Sequence, residues 1–140
     1  MSIELVVFDW NGTLSNARDV PVGNTIPPLY DGVLEVLAAL DKQHCHMAIA
    51  TGHSFAGLSR ELKHYNIAHY FSSLQTADTG LGKPHPSVMD DILSDAGLEK
   101  SQVLMVGDTA NDMRFAVNSG VKAVAVSYGA YPASGLNEYA

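Results

Sequence analysis

Cysteine is almost missing from this chain. Cys45 stands alone, which excludes an internal disulfide and fits a reducing compartment. Basic residues are also few: Lys and Arg total 8 against 15 Asp and Glu, for a net charge of −7. They are scattered, whereas a nucleic-acid surface needs clustered cations to displace counterions, so nucleic acid is not an expected partner. No apolar run approaches the roughly 18–20 residues of a membrane span. The N-terminus lacks the basic, then apolar, then small-residue pattern of a secretion signal. The expectation is a cytoplasmic soluble protein with no membrane partner. Repeats and low-complexity stretches are absent. Only 16% of the residues are charged and 46% are hydrophobic, enough to build a core and to argue against disorder. A length of 140 residues predicts a single domain, 1–140.

What is present is alternation. Strand-like apolar runs occur at 3–8, 47–50, 103–106 and 121–126, with a weaker one at 71–75. Helical spacing occupies the intervals. Val33, Leu34, Val36, Leu37 and Leu40 pattern 31–43, with Asp31 as the expected cap. Residues 54–65 start at Ser54 and carry Phe55, Leu58 and Leu62. Residues 86–96 carry Val88, Met89, Ile92 and Leu93 and stop at Gly97. Residues 109–118 place Met113, Ala116 and Val117 on one face and end at Gly120. Such βαβα alternation predicts a parallel sheet with helices on both faces. Two stretches break the pattern. Residues 15–30, with Pro21, Gly23, Pro27 and Pro28, form a turn-rich flap, and 128–140 is irregular.

In a parallel sheet the carboxyl ends of all strands share one edge, where ligands bind. Asp9-Trp10-Asn11-Gly12-Thr13 follows the first strand, Thr51-Gly52-His53 the second, and Gly107-Asp108-Thr109-Ala110-Asn111-Asp112 the fourth. These clusters must therefore converge. Gly82-Lys83-Pro84 adds a cation ahead of a helix. Each alone has an ordinary reading: Asp9 as a turn residue, Lys83 as a solvated side chain, Asp108 or Thr109 as a helix cap. His53 suits substrate contact or helix entry equally well. His44-Cys45-His46 looks like a metal cluster but has no fourth ligand, and it is set aside. Asn11-Gly12-Thr13 matches a glycosylation acceptor only formally.

Taken in order, the four clusters resemble the four motifs of the haloacid dehalogenase-like (HAD) hydrolases, mostly Mg2+-dependent phosphatases. The similarity runs over nearly the whole chain and is nearest the phosphoglycolate-phosphatase-like branch. It implies a Rossmann-like α/β core. It implies that Asp9 is the nucleophile that becomes a phosphoaspartate, that Thr51 and the Gly52 N–H hold phosphate oxygens, and that Lys83 neutralises the charge of the transferring group. It implies a Mg2+ held by Asp9, the main chain of Asn11 and Asp108, with Asp112 supporting the shell. One position departs from the family pattern: Asn11 stands where the second, acid–base Asp is usual. Three explanations stay open: a slow natural phosphatase, an inactivated variant of an Asp-x-Asp enzyme, and a silent binding protein on the same fold.

The family's caps are large insertions after the first motif or between the second and third. Neither gap here has room for one. An open site suits a macromolecular phosphate, or a small phosphorylated molecule enclosed by a neighbouring copy in a homo-oligomer. A receiver domain also uses Asp, Thr, Lys and Mg2+, but it carries its phosphorylated Asp after the third strand, and here that strand ends near Gln75.

Overall fold

The computed structural model describes residues 3–16, 26–78, 83 and 85–126. Five strands alternate with four helices: β1 (Leu5–Phe8), α1 (Val33–Lys42), β2 (His46–Ala50), α2 (Phe55–His64), β3 (Ser73–Gln75), α3 (Pro86–Ala96), β4 (Val103–Gly107), α4 (Ala110–Ser119) and β5 (Lys122–Ala125). All ladders are parallel, in the order β3-β2-β1-β4-β5. This is the expected α/β, Rossmann-like architecture. Chain order runs outward from β1 to β3, then crosses to β4 on the other side of β1. The switch point lies between β1 and β4, whose carboxyl ends lead into Asp9 and Asp108.

Strand alternation divides the core into two. Leu5 and Val7 of β1, Ala48 and Ala50 of β2, and Val103 and Met105 of β4 pack under α3 and α4, against Met89, Ile92 and Phe115. Val6, Phe8, Met47 and Ile49 point the other way, onto Val33 and Leu37 of α1 and Leu58 and Leu62 of α2. Every residue of β1 is buried, as a continuous apolar run in a central parallel strand requires. The edge strand β5 is only partly covered.

Local chemistry sets the helix ends. Ser54 accepts from the Gly57 N–H at 3.1 Å to open α2. Pro86 occupies the first turn of α3, and His85 Nδ1 accepts from the Ser87 N–H. Gly97 (φ 69°) and Gly120 (φ 72°) close α3 and α4 in the left-handed region.

Three sequence expectations need correction. Asp31 does not cap α1. Gly32 takes that place at φ 86° with no side-chain bond, and the first turn is held by backbone bonds from Val33 to Tyr30 and from Val36 to Gly32. Val117 is 61% exposed, because the buried face of α4 runs through Asp112, Met113, Phe115, Ala116 and Ser119. Phe55, in the first turn of α2, is half-exposed, as are Leu34 and Val36 of α1. Among the described residues of the 15–30 segment there is no helix. Its two ends pair instead: Ser15 bridges Leu29, and the Asn16 N–H donates to Pro28. The remainder of that segment, Gly82, Pro84 and 128–140 lie outside the described residues. No helix among the described residues is long and apolar enough to cross a membrane.

Candidate active site

The site is built at the switch point. Asp9 leaves β1 with its N–H still donating to Val106 of β4. The chain then folds into a tight turn in which the Trp10 carbonyl accepts from Thr13, Leu14 and Ser15. Gly12 holds φ +85° in that turn, and a Cβ there would lie 2.0 Å from Asp108 Oδ2. Only glycine lets the first turn and the Asp108 carboxylate come this close. Thr13 Oγ1 donates to the other oxygen of Asp108 at 3.2 Å. Gly107 serves the same end: a Cβ on it would strike the Asp112 side chain at 2.4–2.6 Å.

Asp112 does two jobs. As the third residue of α4 it completes a capping box, taking bonds from the N–H groups of Asp108 and Thr109 and from the Thr109 hydroxyl. Its other oxygen accepts from Lys83 Nζ at 2.5 Å, and Lys83 also donates to Asp9 at 3.0 Å. The Lys83 ammonium thus sits between two buried carboxylates, 7% exposed itself. It is not the solvated surface residue of the ordinary reading.

Burial pushes the Asp9 carboxyl well above the usual range, opposed by Lys83 and reinforced by Asp112 and by hydrogen bonds to Asp108 and Asp112. Burial acts in the same direction on Asp112. There the charge and hydrogen bond of Lys83, with the bonds from Asp9 and Thr109, outweigh it and hold the carboxyl low. Burial would lower Lys83, but the two carboxylates hold it above the ordinary lysine value. Removing the cation should therefore be costly. Lys83→Met leaves two buried carboxylates facing each other, and breaking such a pair costs about 3–5 kcal/mol. Urea unfolding at neutral pH should show a loss of that order. The deficit should shrink as pH falls and the carboxylates take up protons; an equal loss at every pH would refute this account.

Asp9, Asn11, Thr51, Gly52, His53, Lys83 and Asp112 line one open cleft of about 630 Å³, together with Ser54, Thr109 and Asn111. Asp108 lies beneath it, fully buried. Carboxylate oxygens of Asp9, Asp108 and Asp112 fall within 4.8 Å of one another. An all-oxygen, carboxylate-rich donor set fits a hard cation such as Mg2+ and not a soft one. Among the described residues, His44, Cys45 and His46 do not form such a group.

The Thr51 loop is stitched to the neighbouring strand. Thr51 N–H donates to Gln75, and Ala77 N–H to the His53 carbonyl. Thr51 Oγ1 accepts from the His53 N–H at 3.1 Å. The His53 ring is turned to α2: Nε2 lies 2.5 Å from Glu61 Oε2. Sequence reading assigns no role to Glu61, Trp10 or Asn111, and reads Thr109 only as a candidate helix cap, the place it takes at α4. Glu61 carried a signal. It falls between Leu58 and Leu62 on the apolar face of α2, where a carboxylate must find buried partners.

The family model described as haloacid dehalogenase-like hydrolase matches residues 22–126. That range holds Thr51, Lys83, Asp108 and Asp112 and begins beyond Asp9. The chain is similar to a phosphoglycolate phosphatase of Pectobacterium atrosepticum, 34% identical over 114 residues, which are 81% of this chain and 47% of that protein. It spans about half the length of the curated relatives it matches. A haloacid dehalogenase-like family hydrolase from Streptococcus pneumoniae superposes with a TM-score of 0.81 at 19% identity, over 98% of this chain and 90% of that one. CbbY from Rhodobacter sphaeroides, solved in complex with phosphate, superposes at 0.78 and 15% identity, over 94% and 88%. At these identities the structural likeness speaks for the fold. With the family model covering three-quarters of its length, the chain belongs to the haloacid dehalogenase-like hydrolases.

Proposed function

We propose that the chain is a Mg2+-dependent phosphohydrolase acting through an aspartyl phosphate on Asp9. The observation that carries this reading is the Asp9 carboxylate itself. It stands at the end of the central strand, 3.0 Å from Lys83, in an open cleft shared with Thr51 and Gly52. Similarity to phosphoglycolate phosphatases supports the reaction class, and the phosphate in CbbY supports the ligand class.

On this reading Thr51 and the Gly52 N–H hold two phosphoryl oxygens, and Lys83 balances the charge that spreads over them in the transition state. An Asp9 oxygen attacks phosphorus in line, forming an acyl phosphate as the ester P–O bond breaks. The leaving oxygen takes a proton from solvent, because the Asn11 amide has none to transfer. Water then attacks phosphorus and restores Asp9. Asp9, the Asn11 carbonyl and Asp108 would hold Mg2+, with Asp112 supporting them. When bound, the ion adds positive charge beside the phosphoryl oxygens. The substrate is a phosphate monoester, small or macromolecular.

Turnover of an aryl phosphate with and without Mg2+, with trapping of phosphoaspartate by acid quench, tests the reading. Mg2+ should also raise the melting temperature, by about 2.7 kcal/mol of stabilisation at a hundredfold excess over Kd. Asp108→Ala should lose that rise. An unchanged Mg2+ response in this variant would refute the ligand assignment. A second reading rests on Asn11: a phosphate-binding protein that no longer turns over. It is favoured if phosphate and Mg2+ bind but no ester is cleaved.

A further inference from the structure

Behind the cleft, Glu61 is 3% exposed, and its two oxygens accept from opposite sides. Oε1 takes the Trp10 indole N–H at 3.2 Å, and Oε2 takes His53 Nε2 at 2.5 Å. His53 Nδ1 accepts from the Ser54 N–H at 2.9 Å, so the ring hydrogen is on Nε2, pointing at Glu61. Trp10 is fully buried and adjoins Asp9; His53 adjoins the Thr51 loop and bonds its hydroxyl. One carboxylate on α2 therefore ties the two loops that carry the reacting carboxylate and the phosphate cradle. Gly57 makes room for this. A Cβ there would lie 2.3 Å from His53 Cε1, so any larger residue pushes the ring off Glu61.

We propose that Glu61 is a positioning residue that clamps the Asp9 turn to the Thr51 loop, through Trp10 and His53, and so sets the spacing at which phosphate is bound. The proposal rests on the phosphohydrolase reading. The clamp needs a carboxylate and not merely a polar group. Its two partners are both donors, so an amide would set its own N–H2 against one of them. Two loops joined by one bridge also respond together, and non-additive effects are the mark of that.

Five substitutions and two readouts test it. Trp10 is the chain's one tryptophan, so its indole N–H gives a single resonance. In Glu61→Leu that resonance should shift markedly, and the Thr51 amide should move with it. Orthovanadate or inorganic phosphate, titrated with Mg2+ present, should bind about 10-fold less tightly or worse. Glu61→Gln should fall between parent and Leu and serves if Leu does not fold. Gly57→Ala should reproduce the loss without touching Glu61, although glycine to alanine is normally favourable within a helix. Trp10→Phe and His53→Asn should be non-additive in the parent and additive in the Glu61→Leu background. An unmoved indole or Thr51 resonance, or parental anion affinity in Glu61→Leu and Gly57→Ala, overturns the proposal. Should the parent bind neither anion, the phosphate-site reading itself falls. The clamp is then judged on the resonances alone: displacement of both upholds the tie between the loops, and either one unmoved overturns it.

Discussion

Asp9→Asn should abolish phosphate transfer and phosphoaspartate formation, yet the metal-free variant should melt at or above the temperature of the parent. The first half follows from chemistry: an amide oxygen cannot replace a carboxylate that needs no activating base. The second follows from linkage. Burial holds the folded-state pKa of Asp9 above its ordinary value. Such a group stabilises the fold fully below its unfolded pKa and loses that contribution as pH rises through the folded value. At neutral pH Asp9 is therefore a net burden on the metal-free fold, and the neutral isostere removes it. Asp112 has the opposite sign. Its pKa is depressed, so its contribution is present above the ordinary carboxylate range and lost as pH falls through the lowered value. Calorimetry from acid to neutral pH should show Asp9→Asn gaining most at neutral pH and little in acid. Residual turnover near the parental rate would remove the covalent mechanism; a clear drop in melting temperature at neutral pH would refute the electrostatic account.

Asn11→Asp should raise turnover by about 10²-fold or more, the usual worth of general acid–base help. Asn11 lines the cleft beside Asp9 and is exposed, so the change costs the fold little. The gain should be larger for alkyl than for aryl phosphates, because a poor leaving group depends more on receiving a proton. The parent should accumulate phosphoaspartate wherever attack outpaces hydrolysis, and the variant should not. Rapid-quench kinetics on both proteins with a matched aryl and alkyl pair decide this. A variant that binds Mg2+ and phosphate but cleaves neither ester would make the chain a binding protein.

The sequence by itself determined the βα alternation, the parallel sheet and the convergence of Asp9, Thr51 and Asp108 at one edge. The reason is that apolar period and turn chemistry are local, and a parallel sheet then aligns every strand end without further information. It also placed the caps at Ser54, Gly97 and Gly120, where a hydroxyl or a left-handed glycine acts on its own neighbours. It misjudged Asp31 and Val117, because whether a helix residue caps or faces the core depends on the angle at which the helix meets the sheet. Tertiary structure alone decided that Lys83 lies between Asp9 and Asp112. Proximity across the site carries no period along the chain. The same holds for Gly12, where a Cβ would strike Asp108, 96 residues away. It holds for Glu61 too: its helix position advertised a buried carboxylate, but only the packed core supplied Trp10 and His53 as its partners.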